Sequence, residues 1–312
     1  MASRLSLFIL AVAFAVASGP AWAQQARIDL SRQFDTPADT GVVPTELTAA
    51  PAAIDTATGG DGESFGLQQF LREKERLRPF RAFAEISAFV TNNVALTSKE
   101  PLSDAFLLAT LGFEYRRPLK YGLQLDSSLR VATFRYNEYR QLDFNSIDVG
   151  AGLTYRVQKL GGIDAFARYN FNALLGAESG EAFFKNHTIT LGVQKAVVFS
   201  QAHYAFAGLS GQLGFADPKA AERQELAAYA GYHLQATRHL EADLLYRYAH
   251  FFYSEGERRD SNHTLSLGVR YRFTEWFSAT ASGYLGWNRS TLEVFDYEVA
   301  NGGAGLSLSL QF

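Results

Sequence analysis

The chain has 312 residues, a formal net charge of −3 and no cysteine. A near-neutral balance leaves no electrostatic footprint for nucleic acid, and the missing cysteine excludes disulfides and a lipid-modified N-terminal cysteine. A single methionine beside 25 phenylalanines, 15 tyrosines and 26 glycines points to a β-rich protein with aromatic belts.

Residues 1–23 read as a secretory signal. Arg4 supplies a positive start, Leu5 to Ala17 an apolar stretch too short to span a bilayer comfortably, and Ala21-Trp22-Ala23 a small-x-small cleavage site before Gln24. Residues 24–79 form an extension. Within it, residues 24–63 are rich in Ala, Thr, Pro, Gly and Asp and lack periodicity, so a flexible periplasmic segment is expected. Residues 64–78 are expected to form one amphipathic helix. Leu67, Phe70, Leu71 and Leu77 share a face, Ser64 caps the start and Pro79 stops the run. Such a helix can plug a barrel from below, lie on the inner leaflet surface, or act as a spacer.

From Phe80 the hydrophobic period becomes two. The alternation predicts strands at 80–91, 104–116, 120–135, 143–157, 162–175, 184–199, 202–215, 224–237, 239–253, 262–273, 275–289 and 297–312. A small frame around a glycine recurs six times, at Gly112, Gly152, Gly192, Gly231, Gly268 and Gly305, at intervals of 40, 40, 39, 37 and 37 residues. Each period holds two alternating runs, which is the mark of stacked β-hairpins. Links after the even strands are short, as at 117–120, 158–162 and 238–239. Links after the odd strands are longer and polar, as at 91–104 and 254–261. The expected fold class is all-β: a twelve-stranded antiparallel transmembrane barrel over residues 80–312. The link asymmetry puts it in a bacterial outer membrane with both termini periplasmic.

The alternation also assigns faces. Leu265, Leu267, Val269, Tyr271 and Phe273 oppose Thr264, Ser266, Gly268, Arg270 and Arg272. In a membrane barrel the first set meets lipid and the second the lumen. Closure removes strand edges that lipid would not tolerate. All six repeated glycines fall on the inward parity. A missing side chain there leaves lumen space or lets a neighbour's side chain lie flat.

The last strand ends in Leu306, Leu308, Leu310 and Phe312 on one face. This segment resembles the C-terminal assembly signal of Gram-negative outer-membrane β-barrel proteins, a porin-like class. Many members have a glycine five residues before the terminal aromatic; here Ser307 stands there. The resemblance implies insertion by the barrel assembly machinery, contact with outer-membrane lipid and lipopolysaccharide, and passive transport.

Charge concentrates on the inward face. A D-x-x-x-R pattern recurs at Asp126/Arg130, Asp164/Arg168 and Asp243/Arg247. Residues four apart on a strand share a face but lie about 13 Å apart. Each Asp is therefore expected to pair with a neighbouring strand. Glu114, Arg116, Arg156, Arg270 and Arg272 sit at a similar depth, and Arg81, Glu85, Asp148 and Glu241 also point inward. Together they predict a belt of mixed charge. It serves either as a paired network that stiffens the wall or as a selectivity zone in a water-filled pore.

No cofactor, metal site or catalytic residue is expected. Tyr248-Ala249-His250-Phe251-Phe252-Tyr253-Ser254 resembles the outer-membrane phospholipase pattern, but Phe252 occupies the nucleophile position. Asn186-His187-Thr188 and Asn262-His263-Thr264 repeat one another and read as hairpin chemistry. His203, His233 and His239 read as isolated. The leading expectation is a porin-like passive channel for small hydrophilic solutes. The alternatives are a non-conducting structural barrel with a charge-filled lumen, or a polysaccharide export pore. In the latter, the inward aromatics Phe83, Phe89, Phe166, Tyr204, Phe206 and Tyr229 would form a sliding surface.

Overall fold

The computed structural model describes Arg27, Ile28, residues 78–200 and residues 202–312. The signal sequence and the helix expected at 64–78 lie outside the described residues. Twelve strands follow in order: β1 (Phe80–Thr91), β2 (Asp104–Pro118), β3 (Leu123–Tyr136), β4 (Phe144–Val157), β5 (Ile163–Gly176), β6 (Ala182–Ser200), β7 (His203–Asp217), β8 (Arg223–Gln235), β9 (Leu240–Tyr253), β10 (Arg259–Arg272), β11 (Phe277–Ser290) and β12 (Tyr297–Gln311). Each pairs antiparallel with the next, and β12 returns to β1 to close the barrel. Closure is in tight register, from Arg81 opposite Gln311 to Thr91 opposite Asn301. Phe80 and Phe312 finish the seam with reciprocal backbone hydrogen bonds of 3.1 and 3.0 Å.

Nine strand starts differ from expectation, and the two largest shifts, at β3 and β10, each have a local reason. β3 begins at Leu123, because Lys120–Gly122 form a 3-10 turn with Tyr121 and Gly122 at φ of 63° and 77°. The Leu119 amide then donates to the Leu123 carbonyl at 2.7 Å and closes the turn. β10 begins earlier, at Arg259, although the sequence there looks like a polar loop. Asp260 is turned inward and buried against Arg258, so polarity there marks an internal ion pair rather than solvent.

The side chains divide as the alternation predicts. Outward Leu111, Leu191, Leu209 and Leu310 are each about 60% exposed or more on the bare barrel. A continuous apolar outer surface of this size is stable only against lipid or another apolar partner. The inward face is polar near the Phe312 end. At the far end, where strands β1, β3, β5, β7, β9 and β11 finish, it is tightly packed.

That packing forms two lobes. The first is a collar of Phe89, Phe106, Phe134, Phe144, Leu174 and Phe184, joined by Val94 and Leu142 from the adjoining links and by Tyr297 and Val299 of β12. Its rings stack in sequence around the wall, with centroids 5.3 Å apart for Phe89–Phe106 and 4.3 Å for Phe134–Phe144. The second lobe is polar and lies across the lumen. Arg258 lies over the rings of Tyr253 and Phe295 at 4.0 and 3.5 Å and bonds Asp260. Asn288 donates to Asp260 at 3.1 Å and to the Phe295 carbonyl at 2.9 Å.

Of the extension before Arg78, Arg27 and Ile28 are the described residues. They are helical, and Ile28 is 1% exposed within the aromatic collar. Both residues sit at the end of the barrel opposite Phe80.

Candidate functional site: the barrel lumen

Register places the inward charges, and most of them find partners. Arg156 reaches across to the next strand and binds Asp164 with two bonds of 3.0 and 3.2 Å. Asp164 is almost fully buried, so its charge is held by this fork rather than by water. Arg168 on β5 bonds Asp126 on β3 at 2.8 Å, passing over the intervening strand. It can do so because Gly152, the β4 residue in register with both, carries no side chain. A Cβ at Gly152 would stand 3.0 Å from both Asp126 carboxylate oxygens and 3.3 Å from Arg168 Nε.

Arg81 meets Glu114 at 3.3 Å, and Glu241 accepts from Arg270 at 3.0 Å and Arg272 at 3.4 Å. Arg247 bonds Glu225 of β8, a partner the sequence did not single out. Asp148 accepts from Ser146 Oγ and Asn172 Nδ2, both at 2.6 Å. Glu85 accepts from Ser87 at 2.9 Å. Arg130 stands opposite Asp148 in the β3–β4 register. Arg116 points inward near the Phe312 end and is half-buried. Asp164 and Asp243 bind neighbouring strands, whereas Asp126 differs from expectation and reaches two strands away. The belt is deeper than expected, since Arg130, Asp148 and Arg247 lie further toward the far end than the Glu241 cluster.

The histidines read as isolated are not. His233 Nδ1 lies 2.7 Å from Asp243 Oδ1, and its ring stacks on Tyr204 at 4.9 Å. His233 and Asp243 are register partners across β8 and β9, so inward parity plus hairpin register was the signal that could have found the pair. His203 bonds Tyr232 Oη at 3.0 Å, and His239 bonds the Arg272 carbonyl at 3.0 Å. The repeated Asn-His-Thr segments do repeat their chemistry. His187 bonds Tyr169 Oη at 2.7 Å and His263 bonds Tyr246 Oη at 2.8 Å, both on the outer face. His250 lies 3.1 Å from Ser261 Oγ on that face, whereas Ser254 sits in the link beyond. Among the described residues no cluster of three or more metal-ligating side chains occurs.

Five of the six repeated glycines accommodate a neighbour. The Phe83 ring covers Gly112, Phe166 covers Gly192 and Phe206 covers Gly231, each across one strand pair. Ser87 fills the space at Gly305, and the Asp126–Arg168 pair that at Gly152. Gly268 faces open space. The inward aromatics therefore lie flat along the wall.

What remains open lies toward the Phe312 end beside β9 and β10. Asp243, Arg270 and Arg272 have side chains 53, 47 and 41% exposed. Charges toward the far end, such as Asp260 and Arg258, are buried.

No family model matches the chain, and no curated protein matches it. Among solved structures it is similar to an outer membrane channel from Pseudomonas putida F1, with 9% identity and a TM-score of 0.51, over 75% of this chain and 96% of that one. It also matches the translocator domain of the autotransporter NalP from Neisseria meningitidis (11% identity, TM-score 0.43, 75% and 90% covered). A third match is the outer membrane channel DcaP of Acinetobacter baumannii (11%, 0.41, 74% and 96%). The first of these likenesses establishes the architecture: a closed barrel of the bacterial outer-membrane type.

Proposed function

We propose that the protein is a porin-like outer-membrane channel for small hydrophilic solutes. One observation carries this reading. The barrel is apolar outside and charged inside, and Asp243, Arg270 and Arg272 stay open toward the Phe312 end. A polar inner wall lowers the cost of moving a hydrated solute past it by replacing lost water contacts. Acid and base are nearly balanced along that wall, so selectivity between cations and anions is weak. The Phe312 end faces the periplasm, and Leu306, Leu308, Leu310 and Phe312 serve as the signal read by the assembly machinery.

The packed far end favours a second reading, a non-conducting barrel whose lumen is a structural core. Planar-bilayer conductance separates the two. The mature chain from Gln24 is compared with a version starting at Arg78, after heat-modifiable migration shows both to be folded. Steady conductance in either supports a channel. Silence in both overturns it and leaves the structural barrel. Sugar export gains no support from the inward aromatics, since wall packing over glycine already accounts for Phe83, Phe166 and Phe206.

A further inference from the structure

The far-end collar holds a residue from outside the barrel. Ile28 is 1% exposed among rings and aliphatic groups contributed by β1 to β7 and β12. From Gln24 to Asp29 the sequence QQARID contains one large apolar side chain, and it is the one that is buried. The residue before it is anchored independently. The Arg27 guanidinium carbon lies 4.0 Å from the centroid of Phe183, a ring of β6 packed against the same collar. Burial lowers the Arg27 pKa from its ordinary value, and Tyr136 nearby raises it. An apolar insert and an adjacent cation over an aromatic face fix position as well as depth.

The place matters. With cleavage after Ala23, Ile28 is the fifth residue of the mature chain, so the two residues seated at the far end lie close to its N-terminus in sequence. The opposite lobe is built on Arg258, Asp260 and Asn288, all buried and bonded to one another. Ile28 fills space on the aromatic side.

We propose that the N-terminus of the mature chain is a built-in plug, with Ile28 seated in the aromatic collar and Arg27 holding it over Phe183. Its consequence for transport rests on the channel reading above; its seating does not. Removing the plug opens a passage along the aromatic side while the polar lobe stays in place.

Two measurements test this on the full mature protein. In the first, a diazirine amino acid replaces Ile28, and photo-cross-links are mapped by mass spectrometry. Cross-links to peptides holding Leu174, Phe184 or Phe134 are expected. Cross-links confined to peptides of the Phe312 end, or none, overturn the proposal whatever the conductance. In the second, Ile28→Asp and Phe183→Ala are compared with the unaltered protein in planar bilayers. An aspartate cannot rest in an apolar collar without a partner, so open-state occupancy is expected to rise about tenfold in Ile28→Asp. A smaller rise is expected in Phe183→Ala. Collar cross-links with equal, non-zero conductance in all three proteins overturn the plug and leave the channel reading standing. Collar cross-links with no conductance in any protein overturn both.

Discussion

At Gly152 the absence of a side chain does work that the two neighbouring strands depend on. The Asp126–Arg168 pair spans β3 to β5 through the space where a Cβ would stand. Gly152→Val must push both partners aside and leave two partly buried charges poorly matched. A loss of about 1–3 kcal/mol is expected, read as a lower urea midpoint of heat-modifiable folding. Gly268 is the control, because it occupies the equivalent frame but faces open lumen. Gly268→Val should change stability by less than about 0.5 kcal/mol. Equal losses at both positions would show that strand propensity, not the spanning pair, sets the cost. The inward parity of both glycines was legible from alternation alone. What fills each space was not, because Arg168 reaches its partner over an intervening strand and only the full register reveals that.

Strands and their faces were legible because a period of two leaves little freedom once one face must meet lipid. Links were less so. Tyr121 in a left-handed conformation shortens β3, and Arg258 and Asp260 of the polar run at 254–261 turn inward instead of out. The β7–β8 link shows how such segments are held. Glu222 accepts from Lys219 Nζ at 2.7 Å and from the Ala216 amide at 3.1 Å. The Lys219 hydrogen bond is the main cause that lowers its pKa, with Ser254 and Ala216 adding to it and burial opposing. Because the folded value is depressed, the carboxylate stabilises the link fully above the unfolded carboxyl range. That contribution is lost as pH falls through the folded value. Limited proteolysis at Lys219 should therefore accelerate on acidification, and Glu222→Gln should cleave fast at all pH values. A variant with the same pH profile as the parent would remove Glu222 from this role.

The last strand carries a second element-scale prediction. Phe312 stacks on Phe80 at 5.7 Å and shares two backbone bonds with it, but its ring is 59% exposed. Phe312→Ala keeps the backbone bonds and loses little packing. Refolding into detergent should be nearly unchanged, with a cost below about 1 kcal/mol, because little of the ring is buried by protein. If the terminal ring is read by the assembly machinery, insertion in cells should fall several-fold in the same variant. A parallel fall in refolding would instead make Phe312 a structural residue of the seam.

At the scale of the whole molecule the lumen is asymmetric along its axis, wet and charged toward Phe312 and packed at the far end. No period in the sequence encodes this, since inward positions are polar or aromatic by turns throughout. Depth emerges only when the twelve strands are aligned in register. The cysteine-free chain makes the asymmetry measurable. Single cysteines at Ser309 and Ser278, inward near the Phe312 end, should react readily with a membrane-impermeant maleimide in reconstituted barrels. Cysteines at Asn288 and Phe144, inward at the far end and nearly inaccessible, should react slower by about a hundredfold, since reaction there waits on local opening of a packed cluster. Loss of that contrast in Ile28→Asp, but only at Phe144 and not at Asn288, would locate the opening on the aromatic side. Equal labelling at all four positions in the unaltered protein would mean that the far end is no barrier, and conduction would then be limited by the paired charges instead.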